Sequence, residues 1–181
     1  MKKAMALTCG LALLAVATSA QAIDGNVTIG KKYTNLNVGL GNSSPGLFLN
    51  GNWMRSNDDG SLLGLGLGYN FYYNGLMISP GVKTMYVNPR ESRDGYANAL
   101  GLGASYSFNS LLGLYGSYYW APGSFSHNIR SYQDIKGGVA FSPIPMLTLN
   151  AGYQYLVLHG KDNNKNSVLA DGPYIGASLS F

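Results

Sequence analysis

The sequence contains little charge and a single cysteine. That residue, Cys9, lies near the start of the chain, so the segment after residue 22 can form no disulfide, no thiolate metal site and no cysteine nucleophile. Charged residues make up 11% of the chain, whereas soluble domains are about one-quarter charged. This deficit indicates that much of the surface does not face water. The sequence also lacks a helical apolar period and a basic cluster that could follow the phosphates of a nucleic acid.

The first 22 residues have the three parts of a secretory signal peptide. Lys2 and Lys3 form a basic start, residues 7–17 form an apolar segment, and Ala20-Gln21-Ala22 is a cleavage signal. The apolar segment is too short to cross a bilayer as a helix, which takes about 20 residues. We therefore predict cleavage after Ala22 and one domain formed by residues 23–181, the alternative being an uncleaved anchor.

The rest of the chain alternates between apolar residues and small or polar ones, which is typical of β-strands joined by turns. The clearest segment is Leu62–Tyr72, where leucine and aromatic residues alternate with glycine and asparagine. Ten such segments are predicted, at residues 26–30, 33–41, 47–55, 62–72, 76–86, 97–108, 112–121, 131–142, 147–158 and 172–181.

The connections between these segments alternate in length. Tight turns are predicted near residues 43, 74, 110 and 144, and longer polar loops near residues 58, 91, 126 and 165. Transmembrane barrels have short periplasmic turns and longer outer loops, with aromatic belts at both interfaces. The periplasmic belt would hold Tyr69, Phe71, Tyr106, Phe108, Phe141 and Phe181, and the outer belt Trp53, Tyr86, Tyr118 and Trp120. The sequence therefore predicts an all-β fold, an antiparallel up-and-down transmembrane β-barrel in the bacterial outer membrane.

The strand count depends on the two ends of the chain. Without Asn26–Gly30 the count is nine, and bacterial barrels have even numbers of strands. Ten strands are favoured, with eight as the alternative, and residues 26–30 should pair with the last strand. In that strand Ile175, Ala177 and Leu179 are predicted to face lipid, Tyr174, Gly176 and Ser178 the lumen, and Phe181 the periplasmic rim.

Three charged residues lie within predicted strands rather than in loops or at strand ends. Lys83, Asp134 and Lys136 all have the inward-facing parity, and a charge facing lipid near the midplane would cost about 2–4 kcal/mol. We expect this lumen charge cluster to contain a pair between Lys83 and Asp134. Two interpretations are open: an ion pair that neutralises itself in a plugged barrel, and the charged constriction of a narrow channel.

Other motifs are weak. The glycines of Leu63–Tyr69 alternate along a strand instead of opening a helix, so they make room for large inward side chains rather than cradle a nucleotide. Asp162–Asn166 begins like a calcium loop but lacks the glycine at position 6 and the glutamate at position 12. Ser126-His127 lacks the His-x-Ser spacing of lipid-deacylating barrels. We expect no cofactor and no metal.

Several segments resemble one known family. They are Lys32–Gly39, Ser43–Gly46, Leu65–Gly68, Leu169–Tyr174 and the terminal Ser178–Phe181, and they look like the YfaZ family of proteobacterial outer-membrane proteins over essentially the whole chain after residue 22. The resemblance implies the location and carries no assigned activity. The terminal strand, with Tyr174, Ile175, Leu179 and Phe181, also resembles the signal read by the barrel-assembly machinery.

Three functions stay open. The favoured one is a small, largely closed barrel, expected to be a monomer, whose loops contact lipopolysaccharide or other envelope partners. The basic residues suited to such phosphate contacts are Arg90, Arg93, Arg130, Lys161 and Lys165. The alternatives are a narrow passive channel and a lipid-modifying enzyme. A soluble, lipocalin-like barrel is the structural rival.

Overall fold

The computed structural model describes residues 22–57, 60–89, 94–127, 129–160 and 166–181. The predicted signal peptide, residues 1–22, therefore lies outside the described residues except for Ala22. The strands are β1 (Ile23–Gly30), β2 (Tyr33–Leu40), β3 (Gly46–Ser56), β4 (Gly60–Tyr73), β5 (Leu76–Pro89), β6 (Gly95–Ser107), β7 (Leu112–Pro122), β8 (Ser126–His127), β9 (Ile129–Ile144), β10 (Leu147–Gly160) and β11 (Ser167–Ser180). A single helical turn, η1 (Gly123–Phe125), separates β7 from β8. Within the described ranges, no helix is long and apolar enough to cross a membrane.

Ten of these strands form a closed antiparallel barrel. Each barrel strand pairs with its neighbours along the chain, and β1 pairs with β11 from Asp24↔Ser180 to Gly30↔Tyr174. The short β8 continues the line of β7 beside β6. The ten-strand prediction and the pairing of the first and last strands are both confirmed. Since the wall has no free edge, each of the ten barrel strands has two partners.

Three predicted boundaries are wrong. The loop predicted to run to Asp171 is shorter, because β10 and β11 keep pairing past a bulge at Leu156, as far as Leu158↔Ser167. The loop predicted over residues 122–130 contains η1, β8 and the start of β9. Pro143 lies within β9 and not in the turn, at a point where the β9–β10 register shifts, which is where a sheet tolerates proline.

The two faces of the wall differ as the alternation predicts. On the outside, Leu65 is 64% exposed and Ile175 is 69% exposed, as suits side chains that contact lipid. On the inside, a Cβ added to Gly68 would collide with the Phe48 ring, and one added to Gly101 would overlap the Tyr119 ring. The inward glycines therefore make room for large neighbours, as predicted.

The two ends of the barrel also differ. One end carries both termini of the barrel and the turns at residues 41–45, 74–75, 108–111 and 145–146, and we term it the inner end because short turns face the periplasm in such barrels. The opposite end is the outer end. Aromatic side chains that are 43–68% exposed surround the inner end (Tyr69, Phe71, Tyr106, Phe108, Phe141 and Phe181), and others that are 42–51% exposed surround the outer end (Trp53, Tyr86, Tyr118 and Trp120). Both predicted belts are present.

Candidate functional site in the barrel lumen

The outer half of the lumen is filled by apolar side chains. We term this cluster the outer plug, and each of its members is at most 8% exposed. Its members are Tyr33, Met54, Leu62, Met85, Val87, Ala97, Ala99, Tyr119, Ala121, Ile129, Tyr132, Leu156, Leu158, Leu169, Ala170 and Tyr174. A largely closed barrel is predicted from the sequence, but these plug residues are not, because Leu169 and Ala170 fall in a predicted polar loop. The sequence signal for a packed interior is the run Leu156–Leu158, which is apolar at both inward-facing and outward-facing positions.

Below the plug, Asp134 is the centre of a buried polar network. Lys83 Nζ lies 3.7 Å from Asp134 Oδ2, so the structure places these two residues together across the lumen from β5 to β9. The Tyr132 hydroxyl donates to Asp134 Oδ2 at 3.1 Å, and Gln154 Nε2 donates to Asp134 Oδ1 at 2.9 Å. These three partners offset the desolvation of a carboxylate that is 6% exposed.

Both lumen lysines lie over tyrosine rings. Lys83 Nζ is 4.2 Å from the Tyr119 ring centroid, and Lys136 Nζ is 4.8 Å from the Tyr174 ring centroid, distances at which a cation is attracted to the face of a ring. Among the described residues, no carboxylate lies within ion-pair distance of Lys136. We term the set Lys83, Tyr119, Asp134, Lys136 and Tyr174 the charged layer.

The inner half of the lumen is a polar space that we term the inner vestibule. It comprises two cavities, of about 370 and 250 Å³. Asn37, Asn42, Asn50, Tyr115 and Lys136 line both, so the cavities adjoin. The remaining lining is mostly amide and hydroxyl side chains, among them Asn26, Asn35, Ser43, Asn52, Asn70, Ser79, Ser117, Thr148, Asn150, Gln154, Ser178 and Ser180. This composition favours water or a polar ligand over close packing.

The rim of the vestibule is held by two side chains that the sequence analysis did not single out. Asp24 Oδ1 accepts hydrogen bonds from the hydroxyls of Ser43 and Ser180, both at 2.6 Å. Buried Asn70 donates to the carbonyl oxygens of Gly41 at 2.8 Å and Ser44 at 2.9 Å. These bonds hold the 41–45 turn at the mouth and join it to the β1–β11 seam.

The other predicted site residues lie elsewhere. Arg130 is exposed at the outer start of β9, whereas Arg90, Arg93, Lys161 and Lys165 lie outside the described residues. In the terminal strand Tyr174 is buried, and Ile175, Leu179 and Phe181 are 69%, 46% and 68% exposed. Phe181 exchanges two backbone hydrogen bonds with Ile23, both 3.0 Å long.

The described residues contain one serine–histidine pair. Ser131 Oγ lies 3.1 Å from His159 Nδ1 at the outer end, and in this part of the chain no carboxylate is bonded to the pair. The side chain of His127 and the Asp162–Lys165 segment lie outside the described residues. No group of three or more potential metal ligands occurs in the ranges that the structure covers.

Comparison with known families decides where this barrel resides. A family model described as "YfaZ precursor" matches residues 1–181. The chain belongs to this family. It is 41% identical, over 182 residues and 100% of both chains, to "Outer membrane protein YfaZ" of Escherichia coli (strain K12). The protein is thus an outer-membrane protein, and the word precursor fits export by a signal peptide.

Solved structures confirm the fold class. The chain resembles "KdgM porin in complex with disordered oligogalacturonate" with a TM-score of 0.51 and 15% identity, covering 88% of this chain and 99% of that one. It also resembles the transport unit of the autotransporter AIDA-I from Escherichia coli, with a TM-score of 0.50, 14% identity and 89% of each chain covered. At such identities the likeness concerns the fold, an outer-membrane β-barrel.

Proposed function

We propose that this protein is a closed outer-membrane barrel, sealed toward the cell surface and open toward the periplasm through the inner vestibule. The outer plug is the observation that carries the proposal. Tyr132, Met85 and Leu156 are 1%, 0% and 1% exposed, so a hydrated solute would have to displace close-packed apolar side chains. The larger vestibule cavity lies at the inner rim, and the smaller one reaches the level of Asp134 and Gln154.

The plug favours this function over a narrow passive channel. Opening a path through it would expose apolar surface and leave groups of the Asp134 network without their partners, and both changes cost free energy. The charged layer then acts as the floor of the plug. In this arrangement its Lys83–Asp134 pair contributes to the closed state and does not select permeating ions.

Planar-bilayer recording of the purified, folded protein tests the proposal. We expect no stable unitary steps from the wild type. Replacing Tyr132 and Leu156 together by alanine should produce steps, because both side chains belong to the plug. The matched control is Leu65→Ala on the lipid face, which should behave like the wild type. Stable steps from the wild type would overturn the proposal, as would a silent double variant that shows the heat-dependent gel shift of a folded barrel.

We also propose that the outer end contacts lipopolysaccharide. A groove of about 260 Å³ at the outer rim of β3, β4 and β5 is lined by Trp53, Arg55, Ser56, Gly60, Ser61 and Asn88. An arginine beside an interfacial tryptophan suits the phosphates and sugars of a lipid headgroup. Arg55 was not among the basic residues predicted from the sequence, which were Arg90, Arg93, Arg130, Lys161 and Lys165.

Titration of the purified protein with lipopolysaccharide in detergent tests this contact. Arg55→Ala and Arg130→Ala should each weaken binding, and the loss should shrink as salt is added, because exposed phosphate contacts are screened. Leu65→Ala serves again as the control. Equal binding by the wild type and by the variant lacking both arginines would refute the role of these residues.

A further inference from the structure

We propose that the inner vestibule is a binding site for a small polyhydroxylated anion, of the chemical class of sugar acids and sugar phosphates. The proposal extends the proposed function, on which it relies for one point only, that the ligand enters from the inner end. The volumes of about 370 and 250 Å³ together fall within the range of small-molecule sites, about 300–1,000 Å³.

One wall of the vestibule presents hydrogen-bond donors. A Cβ added to Gly66 or Gly64 would collide with the amide oxygen of Asn50 or Asn52 respectively, so these oxygens point at the barrel wall. Both oxygens are buried and have no hydrogen-bond partner among the described residues. The amide nitrogens of Asn50 and Asn52 donate no hydrogen bond to a described residue. They are therefore left for acceptor atoms in the vestibule.

The opposite wall supplies the positive charge. Lys136 lines both cavities with Asn50 and Tyr115, and no described carboxylate lies within ion-pair distance of its ammonium. Lys83 is paired with Asp134. At the rim, Asp24 Oδ1 accepts from Ser43 and Ser180, and Asp24 Oδ2 is buried without a partner among the described residues. Lys136 is thus the cation that an incoming carboxylate or phosphate would meet.

The remaining lining suits hydroxyl groups. The buried side chains of Asn35 and Gln154, which are 5% and 2% exposed, line the smaller cavity. Each has an amide oxygen that accepts from no donor among the described residues. Small rotations of these amides would let a ligand hydroxyl donate to them. Tyr115 lines both cavities, and an aromatic ring suits contact with the apolar face of a sugar ring. A single anionic group on a polyol therefore matches both walls.

Calorimetric titration of the purified protein in detergent micelles tests the site, with glucuronate, glucose 6-phosphate, glucose and acetate as probes. We expect saturable binding of glucuronate or glucose 6-phosphate, and binding of glucose and acetate that is at least about tenfold weaker. The first two probes distinguish a carboxylate from a phosphate ligand. Because both ends of the barrel are accessible in micelles, this result does not depend on whether the barrel is sealed.

Substitutions assign the binding to the vestibule. Lys136→Met should weaken the affinity for the anionic probes by about 10- to 100-fold, the change expected when a hydrogen bond to a charged group is lost. Lys136→Arg should retain most of this affinity. Asn50→Asp, which adds a negative charge on the other wall, gives a second variant if Lys136→Met does not fold. Lys31→Met, an exposed cation at the outer end, is the control and should bind like the wild type.

The proposal would be overturned if neither anionic sugar bound saturably with a Kd below about 10 mM, which corresponds to a binding free energy of about 3 kcal/mol. It would also be overturned if glucose bound as tightly as glucuronate. A third contradicting result would be folded Lys136→Met and Asn50→Asp variants that bind like the wild type. If the wild type conducted ions in planar bilayers and still bound glucuronate, the proposed closed barrel would be refuted and the proposed binding site would stand.

Discussion

The outer and inner halves of the lumen are built by the same ten strands and differ in what fills them. In the outer half, the inward positions carry apolar side chains such as Met85 and Leu156, which are at most 1% exposed. In the inner half, the same parity carries asparagine and serine, and cavities remain. Strand alternation therefore determines which side chains face inward, whereas the residue types along each strand determine whether the interior is packed or open.

The charged layer lies where the two halves meet. Asp134 takes its partners from above and below, with Tyr132 in the outer plug and Gln154 facing the smaller cavity. Buried charge is tolerated there because each ionic group has a polar or aromatic partner. Substitutions in this layer and on either side of it test the contrast between the halves.

The largest effect is expected at the boundary itself. Asp134→Ala leaves Lys83 without its ionic partner, and such a loss costs about 3–5 kcal/mol. Urea unfolding of the barrel in lipid vesicles measures this change in the free energy of unfolding. Replacing both partners, Lys83→Met with Asp134→Leu, should recover much of the loss, because an apolar pair of similar volume often substitutes for a buried ion pair. A single variant as stable as the wild type would show that the layer contributes nothing to stability.

A somewhat smaller effect is expected within the plug. Leu156→Ala removes a side chain that is 1% exposed, and such truncations cost about 2–5 kcal/mol. The matched change in the vestibule, Asn50→Ala, should cost less than about 1 kcal/mol, because this amide borders open space and makes no hydrogen bond to a described residue. The same unfolding assay applies to both. Equal losses would mean that the vestibule is packed as tightly as the plug.

A smaller effect than that of Leu156→Ala is expected at the glycines of the inner face. A Cβ at Gly101 would overlap the Tyr119 ring and approach the Tyr118 carbonyl oxygen, so Gly101→Ala should cost about 1–3 kcal/mol. Gly25 lines the vestibule, and an added Cβ there meets nothing within 4 Å. Gly25→Ala should therefore leave the unfolding midpoint almost unchanged. If Gly25→Ala destabilised the barrel more than Gly101→Ala, steric space would not explain these glycines.

Much of the fold could be predicted because it depends on local pattern. Alternation placed Leu65 outside and Lys83 inside, and turn residues set the hairpins. The pairing of residues 26–30 with the last strand followed from the requirement that a barrel have no edge. The same closure by the first and last strands places Phe181, at the end of the last strand, at the inner end.

The contents of the lumen could not be predicted in the same way. Which side chains meet across the barrel depends on register and on closure, and neither can be read from parity alone. Leu169 entered the plug because β11 begins earlier than its turn residues suggest. Asn70 shared its parity with three glycines, and nothing local indicated that its amide would hold the 41–45 turn. The contact of Lys136 with Tyr174 joins strands β9 and β11, which are not adjacent in the wall.

The most direct test of the contrast is the reactivity of two matched cysteines. Ala140 lines the vestibule, and Ala99 belongs to the outer plug and is 1% exposed. Each would be changed to cysteine in a chain that has no other thiol after Cys9, and treated with a charged maleimide in detergent, where both barrel ends are accessible. We expect Ala140→Cys to react at nearly the rate of a small free thiol and Ala99→Cys to react only after unfolding. Equal rates in the folded barrel would show that the two halves of the lumen are equally accessible and would refute the contrast.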